Sequence, residues 1–305
     1  MTDPILPAVV DRLRTRGALE GTTVDRVTVG DTAVLVELVD TDGDATPRNR
    51  RTAGLAHRPS GDGEAATELE KMSNAVDLET LLAWATQMDS ESGTGPLEAA
   101  IGVGAVNALA APFVDWTVGD PMALLDPATE TVATVGLFRP AFRKFADVDV
   151  RVVERRAVEP VSAPEGVRVT AFRPDEATAA MAGAAVVFVT GSTLIYGGLE
   201  RYLSAAPASA TVVLIGATAS ILPGPAFDAG IDVVAGAAVT DRKRVREAVR
   251  TGACGTDLHD AGVRKVYLVA DRETRGVGGL RGMGGSGKNR GGATDDDLIR
   301  TNDTK

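Results

Sequence analysis

Four bulky apolar residues in a row, Val186 to Val189, run straight into Thr190, Gly191, Ser192 and Thr193. A run so short and so uniformly apolar predicts a strand buried on both faces, as in a parallel sheet covered by helices. Gly191 breaks the run, and Ile195, Leu199, Tyr202 and Leu203 then recur at helical spacing. The unit is strand, polar turn, helix. Open α/β sheets bind ligands at turns of this kind, outside the carboxyl ends of the strands. Three hydroxyls and a glycine can serve there only to cap the helix, or they can face a ligand. The neighbouring strand ends tip the balance toward a ligand.

The alternation recurs on both sides of this unit. Val132 to Gly136, Val148 to Val153, Val167 to Ala171, Val212 to Gly216 and Ile231 to Val234 read as strands, and Asp241 to Val249 as a helix. Strands alternating with helices predict a doubly wound parallel sheet, with Val266 to Val269 as an edge strand. The first third of the chain is patterned differently. Asp3-Pro4 starts a helix with an Ile5, Val9, Val10, Leu13 stripe, which Gly17 ends. Val24 to Val29 and Thr32 to Val39 form a hairpin about Gly30-Asp31, and Thr52 to His57 a third strand. Residues 41–51 and 61–64 read as loops. Two helices follow, one around Leu78 to Ala85 behind Asp77, the other from Pro96 to Ala111. The second has a face of small residues, Ala100, Gly104, Asn107 and Ala111, so a neighbour must pack very close to it. Residues 115–127 read as a linker. The expected organisation is a smaller α+β domain over 1–118, a parallel-sheet α/β domain over 119–270, and a disordered Gly- and Asp-rich tail over 271–305.

Charge narrows the function classes. The chain carries a net charge of -10 and 32 basic residues, of which six are Lys. A nucleic-acid binder would need a basic face, so that class is excluded. An acidic, Lys-poor surface fits a salt-adapted cytoplasm. No run of about 18 apolar residues is expected to cross a membrane, and Met1 to Pro4 lacks a signal peptide's pattern. The single Cys254 allows no internal disulfide. Cytoplasmic location and a small-molecule partner follow, with homo-oligomerisation left open.

Motif matches are partial. Gly282 to Asn289 falls one residue short of a phosphate-binding loop, and no strand precedes it. Gly136-Leu137-Phe138 keeps only the first glycine of a dinucleotide turn, while Glu154 lies near the spacing of a ribose-binding acid. Gly216-Ala217-Thr218-Ala219-Ser220 repeats the small, hydroxyl-bearing chemistry of Thr190 to Thr193 at another strand end. Together these strand ends predict one shared cleft. Metal ligands are sparse: His57, His259 and Cys254 form no paired motif, and His57 reads as structural or solvated. Any bound metal would sit on carboxylates and carbonyls. No nucleophile–histidine–acid triad can be assembled.

The segments Ala100 to Ala108, Val135 to Phe138, Glu154, Val189 to Leu194 and Val213 to Thr218, in this order and spacing, resemble the heavy-metal-chelation domain family. The likeness covers roughly residues 1–270. It implies a Rossmann-like domain preceded by one similar to the enolase N-terminal domain, with a ligand cleft between them. It implies a divalent metal or metal chelate as the ligand. It also implies Asn107, Gly136, Phe138, Glu154, Thr190, Gly191, Ser192, Thr193, Gly216 and Thr218 as cleft residues. In that reading Thr190, Ser192 and Thr193 donate hydrogen bonds to an anionic or carbonyl group. Glu154 accepts from a hydroxyl or holds a cation, and Asn107 reaches in from the first domain. An enzyme using a nucleotide-like cofactor is the alternative.

Overall fold

The computed structural model describes residues 5–41, 51–61, 63–87, 94–137, 144–156 and 163–271. Asp3-Pro4, Phe138, the Gly282 to Asn289 motif and the tail beyond Asp271 lie outside these residues.

The chain opens with α1 (Ile5–Thr15), whose Ile5, Val9, Val10 and Leu13 are all buried, as their spacing predicts. Gly17 follows at φ +67°. Strands β1 (Thr22–Val29), β2 (Ala33–Asp40) and β3 (Arg51–His57) form an antiparallel sheet in that order. Next comes α2 (Gly63–Ser73), a helix the sequence reading did not identify. Its role explains why it forms. Glu70 accepts from the Val29 N–H and Asn74, just past its end, from the Val27 N–H, both at 2.8 Å. These contacts cover donors on the open edge of β1, which would otherwise be free to pair with another chain.

Helix α3 (Leu78–Thr86) is capped by Asp77, whose carboxylate accepts from the Thr80 N–H at 2.8 Å. Helix α4 (Pro96–Ala110) is buried without interruption from Ala99 to Ala110. A helix apolar on every side needs neighbours on every side. Here β3 and α3 supply most of them. Its small face works as the sequence implies. A Cβ on Gly54 of β3 would collide with the Gly104 carbonyl and the Ala108 N–H of α4, so only glycine allows this approach. With its 3-10 extension, Pro96–Phe113 is long and apolar enough to cross a membrane by composition, contrary to the expectation from hydropathy. It serves instead as the central core helix.

The rest of the described chain builds an eight-stranded sheet. It comprises β4 (Thr117–Val118), β5 (Thr131–Val135), β6 (Asp149–Val153), β7 (Arg168–Phe172), β8 (Val186–Thr190), β9 (Thr211–Ile215), β10 (Val233–Val239) and β11 (Val263–Val269). The intervening helices are α5 (Ala177–Met181), α6 (Thr193–Tyr196), α7 (Leu199–Ala205), α8 (Gly224–Asp228), α9 (Arg242–Arg250) and α10 (Thr256–Asp260). Sheet order is β4-β11-β10-β9-β8-β5-β6-β7. The six strands from β10 to β7 run parallel. β11 and β4 add antiparallel. Thus β11, expected at the edge, has β4 outside it, contributed by the segment that reads as a linker.

Side chains of the parallel strands alternate between two apolar cores. Ala133, Val135, Val187, Val189 and Leu214 join the core that holds α4, while Val132, Val150, Phe188 and Val213 fill a second. Burial on both faces is what the unbroken Val186 to Val189 run demands. The two sheets are tied to each other by polar contacts. Arg246 of α9 forks onto Glu37 of β2 with two 2.6 Å bonds, and Thr32 donates to the Ala253 carbonyl at 2.9 Å.

Candidate functional site

From the central pair β5 and β8 the chain works outward in both directions, to β6 and β7 on one side and β9 and β10 on the other. That reversal leaves a crevice at the carboxyl ends of β5 and β8, where doubly wound sheets bind ligands. A concavity of about 750 Å³ lies there. Eight residues expected at the cleft line it: Gly136, Glu154, Thr190, Gly191, Ser192, Thr193, Gly216 and Thr218. Phe138 lies outside the described residues.

Asn107 does not line it. Its side-chain amide instead donates to the Leu55 carbonyl at 2.8 Å and the Thr218 carbonyl at 3.2 Å. It clamps β3 to the loop after β9, a structural task, and borders a separate hollow with Gly54 and Ser220.

The glycines let the backbone turn sharply at the strand ends. Gly136 and Gly216 sit at φ +93° and +121°, a region that favours glycine. Gly191 is required for space, since a Cβ there would come within 2.7 Å of the Ala219 nitrogen. Each glycine N–H is already bonded to the carbonyl of an adjoining strand, Val153, Ala235 or Ile215.

One expected ligand donor and one expected cleft hydroxyl are also engaged. Thr193 donates to the Thr190 carbonyl at 2.7 Å, and the buried Thr218 hydroxyl accepts from the His57 N–H at 2.9 Å. The ligand-donor role expected of Thr193 is therefore corrected to a turn-closing one. Thr190 and Ser192 share one hydroxyl–hydroxyl bond at 2.9 Å, which leaves one proton of the pair to donate elsewhere. Glu154 uses one oxygen to accept from the Arg155 N–H, and among the described residues no hydrogen bond is made to its second oxygen.

Residues not expected at the cleft complete the wall. Thr32, Ala33, Ala56 and His57 come from the small sheet and its first turn, and Arg155, Arg156, Tyr196, Tyr202 and Cys254 from the loops and helices that connect strands of the large one. The Arg155 guanidinium lies 3.8 Å from the centre of the Tyr196 ring, a cation–π stack. His57 stands beside the same ring, centroids 6.2 Å apart. Partial burial lowers the His57 pKa from 6.5, and the Arg155 charge lowers it further. Burial likewise raises the Tyr202 pKa. No ion pair involves Arg155 or Arg156 among the described residues. With His57 neutral, the lining has one more cation than anions, on a chain whose net charge is -10. The adjacency of Arg155 to Glu154 was the available signal for the first of these residues. Nothing local marks Tyr196 or His57.

A bare soft metal ion does not fit this donor set. His57, Glu154 and Cys254 all line the concavity, yet among the described residues no group of three His, Cys, Asp or Glu is placed to hold a metal.

Residues 120–268 match the family model DUF364, described as "Putative heavy-metal chelation". Two solved structures share the fold. A DUF364 protein of unknown function from Pyrococcus horikoshii aligns with a TM-score of 0.66 and 15% identity, over 87% of this chain and 100% of that one. A DUF364 protein of unknown function from Desulfitobacterium hafniense aligns with a TM-score of 0.61 and 18% identity, over 87% of this chain and 98% of that one. No curated protein matches. The resemblance read from the strand ends is borne out, and the α/β fold with it.

Proposed function

With the DUF364 fold as premise, we propose that the chain binds a small anionic molecule, free or as the organic part of a metal chelate, in the concavity at the strand ends. The carrying observation is the pairing of Arg155 and Arg156, which form no ion pair among the described residues, with the strand-end turns of β5, β6, β8 and β9. An acidic chain repels anions at long range, so cations left unneutralised at one concave place favour an anion there. Ser192 and Thr190 supply one hydroxyl proton, and the second oxygen of Glu154 accepts from a ligand hydroxyl or faces a chelated metal. A chelate brings its own donors, so it asks fewer ligands of the protein than a bare ion. The chain divides, in this proposal, into units 1–118 and 119–270 that share the site.

A second reading keeps a specific observation. The parallel strands follow the order of dinucleotide-binding sheets, and Glu154 ends the second of them, where such sheets hold a ribose. On that reading the chain is an enzyme with a nucleotide-like cofactor.

A thermal-shift panel separates the two. Bare Cd²⁺ and Zn²⁺, their citrate complexes, citrate alone, adenine nucleotides and S-adenosylmethionine are each titrated. Saturation at 100 times Kd stabilises by about 2.7 kcal/mol. A shift with citrate or its complexes, weakened in Arg155→Ala, supports the proposal. A shift with adenine compounds alone, reduced in Glu154→Gln by about 10- to 100-fold in affinity, moves the assignment to the second reading. Stabilisation by bare metal alone sinks both.

A further inference from the structure

A second cavity, of about 340 Å³, lies on the face of the large sheet that carries Phe188. It shares only Gly216, Ala217, Gly255 and Leu258 with the concavity described above. Its volume falls at the lower end of small-ligand pockets, and its lining is apolar as theirs is. The floor is Phe188, Ile215 and Ala235, and Met122 and Phe145 also border it.

Besides His259, whose Nδ1 is 2.9 Å from the Val263 carbonyl, two polar features break this apolar surface. Thr134, in the middle of β5, is 1% exposed and lines the cavity, and its hydroxyl has no hydrogen-bond partner among the described residues. A buried hydroxyl without a partner is disfavoured unless something enters to bond it. The second feature is Asp120 with two of the chain's six lysines. Lys144 and Lys265 both bond the same Asp120 oxygen, the latter at 2.8 Å. All three residues line the cavity. The cluster carries one net positive charge, and each ammonium has donors to spare.

We propose that this cavity is a ligand site of its own, taking an apolar, ring-sized molecule with one anionic group. The apolar body fills the space over Phe188 and Ala235. The anion meets Lys144 and Lys265, and a polar atom of the body bonds the Thr134 hydroxyl. The proposal stands whether or not the strand-end concavity binds what is proposed for it.

The test uses two fluorescent probes with the same aromatic body, 8-anilinonaphthalene-1-sulfonate and the uncharged N-phenyl-1-naphthylamine, titrated into the full chain. Both are expected to bind saturably. Lys265→Met should weaken the sulfonate by about tenfold or more, the loss of a charge-assisted bond, and leave the uncharged probe within about twofold. Ala235→Phe, which fills the floor, should abolish binding of both. If that variant does not fold by circular dichroism, the ratio of the two affinities in Lys265→Met decides alone. Equal effects of Lys265→Met on both probes, or none on either, overturn the proposal. So does a sulfonate affinity lowered by Arg155→Ala instead, because the anion would then sit in the other concavity.

Discussion

Arg246 meets Glu37 with two parallel bonds at 2.6 Å, and Glu37 is 1% exposed. Truncating one side of such a pair leaves a charge buried alone. Arg246→Ala should therefore destabilise the chain by about 3–5 kcal/mol in denaturant unfolding. Arg246→Lys keeps the charge but loses the planar fork, so it should cost less than alanine while remaining below the parent. Equal stability of all three would remove Glu37 from the set of groups that tie the sheets. His57 gives a pH signature. Its folded pKa lies below 6.5, first through burial and then through Arg155. The unfolded chain thus takes up a proton more readily as pH falls through about 6.5, and stability falls with it. Above that range the contribution is flat. His57→Gln should reduce the slope of melting temperature against pH between about 5 and 7. An unchanged slope would mean that the ring is as solvated as in the open chain. At this scale the sequence showed which strand ends carry polar groups. It could not show that the Thr193 hydroxyl donates to a backbone carbonyl or that the Thr218 hydroxyl accepts from a backbone N–H. The Thr218 partner, His57, lies 161 positions away.

Elements differ in how far their own residues announce them. The parallel strands were visible because both of their faces are apolar, so each is a bulky run between turns. Helix α2 was not, because GEAATELEKMS carries few apolar residues and gains its place from Glu70, which bonds an edge strand far off in sequence. Strand β4 has two residues, too few for any pattern. Helix α4 was visible, and so was its need for a close neighbour, though not the identity of Gly54 as that neighbour. Gly54→Ala puts a methyl group against the α4 backbone and should destabilise by about 1–3 kcal/mol, the usual range for overpacking. If Gly54→Ala melts like the parent, the strand and helix are further apart than described.

For the whole molecule, a net charge of -10 implies self-repulsion in the folded state. Shortening the Debye length from about 30 Å at 0.01 M salt to about 3 Å at 1 M should raise the melting temperature. A flat response would detach the acidic composition from any salt adaptation. Fold class was legible at this scale because alternating strands and helices admit few arrangements, and right-handed crossovers prune those further. The sheet's exact extent was less so, since its outermost strand, β4, rests on contacts between residues 117–118 and 266–267.

The Thr218 hydroxyl that receives the His57 N–H, and the Asn107 amide that holds the Thr218 carbonyl, fasten the small sheet to the rim of the strand-end concavity. The same bonds thus join the two sheets and fix the mouth, so the ligand proposed for this site need not wait for the sheets to part. Capture should then follow a single exponential whose rate rises in proportion to ligand concentration, at about 10⁵–10⁷ M⁻¹s⁻¹ or faster, as for a preformed site. A rate that levels off with concentration in stopped-flow mixing would mean that those bonds open first.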